Sequence, residues 1–354
     1  MSSNEPARTR GRPDPAVAEI RVAVRHALGE LRGGQPLGDE DSEQRDPGPL
    51  VLVALSGGAD SLALAAALAF EAPRLGWRAG AAVVDHGLQA ASATVAARAA
   101  DQARRLGLGP VVVRRVAVPT DAPDGPEGAA RAARYAALES ARVELGADAL
   151  LTAHTRDDQA EQVLLALARG SGTRALAGIP PRRGPILRPL LAVSRERTER
   201  ACLAQGLEPW RDPHNSDPSF ARSRVRERII PLLEQEIGPG VAANLARTAE
   251  LAREDADALD ALAEERTAAA AGVVIRGDGE ASIAVADLAA RPPAIRNRII
   301  RAVAAELGSQ LGRVHTTAVA ALAVDWRGQG PIHAPGLVAH RRGGRLVLRA
   351  TRLD

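Results

Sequence analysis

The chain has 354 residues, 45% of them hydrophobic and 25% charged, enough for about two domains and too apolar for wholesale disorder, while no apolar run approaches the ~18–20 residues of a membrane span. One cysteine, Cys202, excludes an intrachain disulfide framework, a Cys-rich zinc site and a Cys-ligated iron–sulfur cluster. All 46 basic residues are arginine, so a sequence pI of about 10.1 at a net charge of +3 reports the late titration of guanidinium and is no evidence for nucleic-acid binding.

Residues 1–14 are polar, carry three arginines and lack the apolar core of a secretory signal, so they read as a disordered tail of a cytoplasmic protein. Residues 14–33 place Val17, Ile20, Val24, Leu28 and Leu31 at helical spacing, with Pro15 near the start. The stretch 33–49 has no periodicity and many breakers, and is expected as an exposed loop. From residue 50 a regular alternation begins. Strands are expected at 50–55, 78–85, 110–118 and 147–153, and helices at 61–72, 90–107, 127–146 and 156–169. Such crossovers imply an α/β fold with a parallel sheet of Rossmann type, whose ligands bind at the carboxyl ends of the strands. Past residue 190 the pattern changes. Helices are expected at 194–205, 221–236, 239–271, 292–307 and 313–325, with two weak strands at 281–285 and 345–349. The division expected is a domain over 15–222 followed by a smaller, mainly helical one over 223–354. Cys202 falls in the helix at 194–205 and is most simply a small core residue.

The hexapeptide Ser56-Gly57-Gly58-Ala59-Asp60-Ser61 joins the first strand to its helix. Its two glycines let the backbone approach an anion, and the helix start adds unpaired N–H groups and a positive dipole end. Ser56 and Ser61 add hydroxyl donors. Asp60 puts a carboxylate beside phosphates, which makes sense only with a bridging divalent cation. The segment fits neither GxxxxGK[ST] nor GxGxxG, and SGGADS resembles the PP-loop of ATP pyrophosphatases.

Three further motifs sit at strand ends. Asp85 and His86 close the second strand where an adenine or ribose would lie, although such a pair equally often just ends a strand. In EGAARAARY (127–135), Arg131 and Tyr135 share a helix face and Arg131 could reach a phosphate, while Arg134 could reach RNA or simply be solvated. In HTRDDQAEQ (154–162), His154, Asp158 and Glu161 fall at i, i+4 and i+7 on one face. Two carboxylates and an imidazole at a helix start are costly alone, so substrate, metal or arginine must meet them.

SGGADS, VDHGL, EGAARAARY and HTRDDQAEQ, in this order and spacing, resemble the tRNA(Ile)-lysidine synthetase family of PP-loop enzymes. Arg169-Gly170-Ser171-Gly172 with Leu176, Gly178 and Pro180, and then Asp212, Asn215, Ser219, Arg222, Arg226, Arg228 and Pro231, extend the likeness across roughly 50–232. Gln162, Ala175, Ile179 and Ser223 depart from the family pattern.

The resemblance implies ATP as substrate and Mg²⁺ as cofactor. The wobble cytidine of isoleucine tRNA with a CAU anticodon is adenylated, and free lysine then displaces AMP to give lysidine. On this likeness Ser56, Gly57, Gly58, Ala59, Asp60, Ser61, Asp85, His86, Arg131 and His154 bind ATP, and Asp60 with Asp157 holds the metal. Asp60, Asp158 and Glu161 are the candidate catalytic groups, the last two receiving the lysine ammonium or its proton. Arg134, Arg222, Arg224, Arg226 and Arg228 are candidate tRNA contacts, with 222 and 226 on one helix side and 224 and 228 on another. A sulfur-inserting relative would need more cysteines, and a non-catalytic binder would not need Asp60, Asp158 and Glu161. An apolar helix face serves a core or a homodimer equally, so oligomeric state stays open.

Overall fold

The computed structural model describes residues 12–33, 48–87, 92–117, 125–170, 172–212, 217–269, 274–277 and 279–351. The expected tail and most of the 33–49 loop, together with Leu88, Ser171 and Asn215, lie outside the described residues, as does the side chain of Glu127.

The chain divides into two compact units, residues 1–250 and 251–354. The first opens with α1 (Pro15–Leu31), whose Asp14 side chain caps the helix by accepting from the Ala16 N–H at 2.8 Å. Strands β1 (Leu50–Leu55), β2 (Arg78–Asp85), β3 (Val111–Arg115) and β4 (Ala149–Leu151) alternate with α2 (Ala59–Glu71), α3 (Ser92–Arg105), α4 (Gly125–Glu144) and α5 (Arg156–Ala168). A short helix α6 (Thr173–Leu176) and two-residue strands β5 (Arg182–Arg183) and β6 (Ile186–Leu187) follow, then α7 (Arg195–Ala204). The sheet order is β3-β2-β1-β4-β6-β5, parallel throughout except for β5.

LVLVAL forms β1 because both sheet faces are covered: five of its six side chains are buried. Helix α2 buries Leu62, Leu64 and Leu68 against this sheet. Gly80 lets β2 run close to its neighbours, since a Cβ there would lie 2.6 Å from the Pro110 carbonyl and 2.7 Å from Leu52. Cys202 is 1% exposed in the core, as expected from its surroundings, and burial pushes its thiol up to about 12.

The arginine-rich segment 221–236 is one continuous helical run: α8 (Ala221–Arg224), a π-helical turn (Val225–Ile229) and α9 (Ile230–Glu236). It belongs to the first unit, and the division falls within α10 (Val241–Ala269), later than the boundary at 223 expected from the sequence. Ion pairs from Arg222 and Arg226 to Glu161 of α5 tie the run to the sheet domain.

The second unit keeps the expected helices and holds more sheet than the two weak strands expected. It holds a five-stranded antiparallel sheet, β7-β8-β11-β10-β9, made of β7 (Val274–Gly277), β8 (Glu280–Ala284), β9 (Ile332–Ala334), β10 (Leu337–Arg342) and β11 (Arg345–Ala350). Helices α11 (Val285–Ala289), α12 (Pro293–Glu306) and α13 (Arg313–Val324) complete it. Alternation explains the packing: Ala281 and Ile283, Leu337 and Ala339, and Leu346 and Leu348 point to one face and form a core with Ile299, Ile300 and Val303. Among the described residues, no helix is long and apolar enough to cross a membrane.

Candidate active site

The loop after β1 is built by its own polar groups. Gly57 takes φ +86°, a left-handed conformation that other residues enter only at a cost of ~1–2 kcal/mol. Gly58 then caps α2 with extended backbone. The Ser56 N–H donates to Ser61 Oγ at 3.2 Å, the two hydroxyls lie 3.1 Å apart, and Ser61 donates to the Gly58 carbonyl at 3.0 Å. The Gly57 carbonyl accepts from the Trp210 N–H at 2.9 Å, which pins the loop from outside. Ala59, Asp60 and Ser61 form the first turn of α2, so the N–H groups of a helix start face the same space.

Asp60 is held from α7. The buried Thr198 hydroxyl bonds Asp60 Oδ1, and Arg195 Nε lies 3.6 Å from Oδ2. The Thr198 hydroxyl also sits 2.7 Å from the Arg195 carbonyl, and its one proton serves one acceptor at a time. Burial pushes the Asp60 pKa up to about 6, with Asp158 and Asp157 adding repulsion against the lowering effects of Thr198 and Arg195. A carboxylate this short of compensation, beside an anion-binding nest, suits a divalent cation that needs one or two carboxylates plus phosphate oxygens. Asp157 is less open, because its Oδ2 accepts the Arg195 backbone N–H at 2.8 Å.

The sequence motif HTRDDQAEQ folds as strand end, cap and helix. Thr155 is the N-cap of α5, and Asp158 closes a capping box by accepting from the Thr155 N–H at 2.8 Å. His154 precedes the helix, with its Nδ1 3.0 Å from the Thr152 hydroxyl. Burial pushes its pKa down to about 3 despite Asp158, so the imidazole is neutral at physiological pH.

Arginine is what meets the two acids. Glu161 is 1% exposed, and Arg222 Nε and Arg226 Nε each donate to it at 2.7 Å. Arg195 Nη2 lies 3.5 Å from Glu161 and 3.4 Å from Asp158 Oδ1. Burial alone would raise Asp158, but Arg195, Arg222 and the Thr155 N–H outweigh it and hold its pKa below the usual carboxylate range. The helix sides expected from sequence are therefore real but unequal. Arg222 and Arg226 face the carboxylates, while Arg224 and Arg228 are exposed, Arg224 bonding the carbonyls of Pro218 and Ser219.

On the other flank, Asp85 Oδ1 accepts the Gly87 N–H at 3.0 Å, and that bond with the Ser92 hydroxyl lowers its pKa. His86 is pushed down by burial and by the charge of Arg134, and its Nδ1 is buried without a partner among the described residues. Arg131 is exposed, whereas Arg134 turns inward, its pKa lowered first by burial. Their guanidinium carbons lie 5.0 and 5.7 Å from the Tyr135 ring centroid, and the Tyr135 hydroxyl is buried without a partner among the described residues. Both His86 and Tyr135 lie near Arg134.

The family description "PP-loop domain" matches residues 39–233, more than half of the chain, and "TilS substrate binding domain" matches residues 283–347. A tRNA(Ile)-lysidine synthase of Leifsonia xyli subsp. xyli is 60% identical over 302 residues, covering 85% of this chain and 90% of the relative. This chain belongs to the tRNA(Ile)-lysidine synthase family. A Salinispora tropica member is 55% identical over 94% of this chain and 96% of its own, and a Streptomyces coelicolor member 50% over 95% and 99%. The solved U34-tRNA thiolase NcsA from Methanococcus maripaludis, with its [4Fe-4S] cluster, matches the fold at TM-score 0.51 and 20% identity over 67% of this chain and 80% of its own. The PP-loop match covers the nest, Asp60 and the α5 acids, so family and geometry meet on the same residues.

Arg195 and Thr198 were not singled out from the sequence. The signal available is modest: Ser194 caps α7 through the Arg197 N–H at 3.4 Å, and an arginine follows it at the first helical position.

Proposed function

We propose that this protein uses ATP to join free lysine to C2 of the wobble cytidine in isoleucine tRNA with a CAU anticodon, giving lysidine. The observation that carries this reading is the chain of contacts from the nest through Asp60 and Arg195 to Asp158 and Glu161, which links a phosphate site to an acid pair. The names of the curated relatives supply the substrate.

In this reading the amides of Gly57, Gly58 and the α2 start, with Ser56 and Ser61, hold the pyrophosphate of ATP. Asp60, with Asp157 as a second carboxylate, would hold Mg²⁺. When bound, the ion supplies neutralisation of the charge that grows on the departing pyrophosphate. Asp85, His86, Arg131, Arg134 and His154 line the nucleotide side. The C2 oxygen of the base attacks the α-phosphorus and pyrophosphate leaves. The lysine ammonium loses a proton to solvent, the free amine adds at C2, and AMP departs with that oxygen. Asp158, with its depressed pKa, suits holding an ammonium by charge better than taking its proton. The cytidine must leave its stack to reach the site.

Arg224 and Arg228 are the exposed pair on the α8–α9 run and provide a phosphate track, whereas Arg222 and Arg226 act on the tRNA only through the carboxylates that they hold. Substituting Arg224 or Arg228 by alanine is expected to weaken tRNA binding and to reduce the salt slope by about one per residue, leaving ATP affinity unaltered. Filter binding across a salt series reads both. The cytoplasm is the expected location, and a homodimer remains a reading of apolar helix faces alone.

The test of the function is incubation with isoleucine tRNA transcript, ATP, Mg²⁺ and labelled lysine. Label is expected in the tRNA only with the CAU anticodon and with release of AMP and pyrophosphate. ADP as product, or label without regard to the anticodon, refutes the reading.

A further inference from the structure

Arg195 occupies the place that a cationic substrate would need. Its guanidinium is shared by three carboxylates, at 3.6 Å from Asp60, 3.4 Å from Asp158 and 3.5 Å from Glu161. None of these contacts has the ~2.7–2.9 Å length of a close charge-assisted bond, whereas Arg222 and Arg226 grip Glu161 at 2.7 Å. Among the three arginines on the acid pair, two are clamped and one is loosely held. The loose one reaches out from the first turn of α7, whose backbone is fixed by the Asp157 carboxylate.

We propose that Arg195 is a positioning residue that stands in for the substrate ammonium. It fills the positive place beside Asp158 and Glu161 until the amine arrives, then gives it up. The inference rests on the reading of lysine as the amine substrate. An ammonium arriving at Asp158 and Glu161 would be a fourth cation on a pair that already meets three guanidiniums, so the most loosely held of them, Arg195, is the one to give way. The acid pair keeps Arg222 and Arg226 in either state, so its geometry survives the exchange. The side chain is thus a built-in competitor for the buried Glu161 and the half-buried Asp158, and sets how much lysine is needed to displace it.

Steady-state assays of the full-length protein, with tRNA and ATP saturating and lysine varied, test this directly. Arg195→Gln removes the charge and keeps much of the length. Its KM for lysine is expected to fall by roughly threefold to tenfold, the effect of one charge lost from a partly solvated site, with a lower kcat because the acids are less well ordered. Arg195→Lys keeps a cation and is expected to hold KM within about twofold of the wild-type value. In Arg195→Ala, added guanidinium ion is expected to compete with lysine and raise its KM again, which a residue that merely shaped the helix would not show. A KM for lysine that is unchanged or raised in both neutral variants overturns the proposal. Wild-type protein that incorporates no lysine defeats the functional reading and this inference together, and that outcome is scored on the unaltered chain.

Discussion

Asp60→Asn is expected to lower tRNA-dependent pyrophosphate release on the order of 10³-fold or more. A bound divalent ion contributes several kcal/mol of charge stabilisation when a phosphoryl group departs, and each ~1.4 kcal/mol is a factor of ten in rate. Asparagine keeps the shape and can still meet the Thr198 hydroxyl, but it removes the charge that would hold the ion. The pH dependence has the same origin. With its pKa at about 6, Asp60 is ionised at pH 7.5 and takes a proton as the pH falls through about 6. Proton and metal compete for one carboxylate, so the Mg²⁺ concentration giving half-maximal release is expected to rise between pH 7.5 and 5.5. Pyrophosphate release measured over an Mg²⁺ series at each pH checks this. Wild-type-like turnover in Asp60→Asn would refute the metal role.

Glu161→Ala is expected to act on stability before it acts on chemistry. The substitution removes a fully buried carboxylate and leaves the guanidiniums of Arg222 and Arg226 facing each other without their 2.7 Å partners. Breaking a buried pair by deleting one member costs about 3–5 kcal/mol. For a unit of this size that lowers the melting temperature by roughly 6–20 °C. Glu161→Gln keeps hydrogen-bonding oxygen but no charge, and is expected to fall between alanine and wild type. Calorimetry of the full chain reads both, in the transition assigned to the first unit. A change under about 1 °C in Glu161→Ala would mean that Arg222 and Arg226 relax to solvent at no cost.

Much of the first unit was legible because its signals are local. A run such as LVLVAL followed by SGGADS specifies strand, turn and helix within a dozen residues, and β1 and α2 fall where that pattern puts them. The strands missed lack such signals. β5 and β6 have two residues each, and β10, LVAHRR, ends in three polar residues that fall on both of its faces, so neither a continuous apolar run nor a clean alternation marks it. The same distinction holds in the site. The His154–Glu161 motif is visible within eight residues of sequence. What meets it is not, since Arg195, Arg222 and Arg226 lie 34, 61 and 65 residues beyond Glu161, and Thr198 reaches Asp60 across 138 residues. The boundary expected at 223 moved for the same reason: a long-range ion pair joins the arginine-rich run to α5, and composition cannot show that.

Every cation around the acid pair is a guanidinium, and the chain has no lysine anywhere. Guanidinium stays protonated in proteins and offers no free lone pair, whereas a desolvated lysine readily becomes a neutral amine. An electrophilic base held in this site would therefore find no side-chain amine of the host to alkylate. On the proposed reaction, such a lining would meet its electrostatic task while staying inert to self-modification, leaving the nucleophilic amine to the substrate.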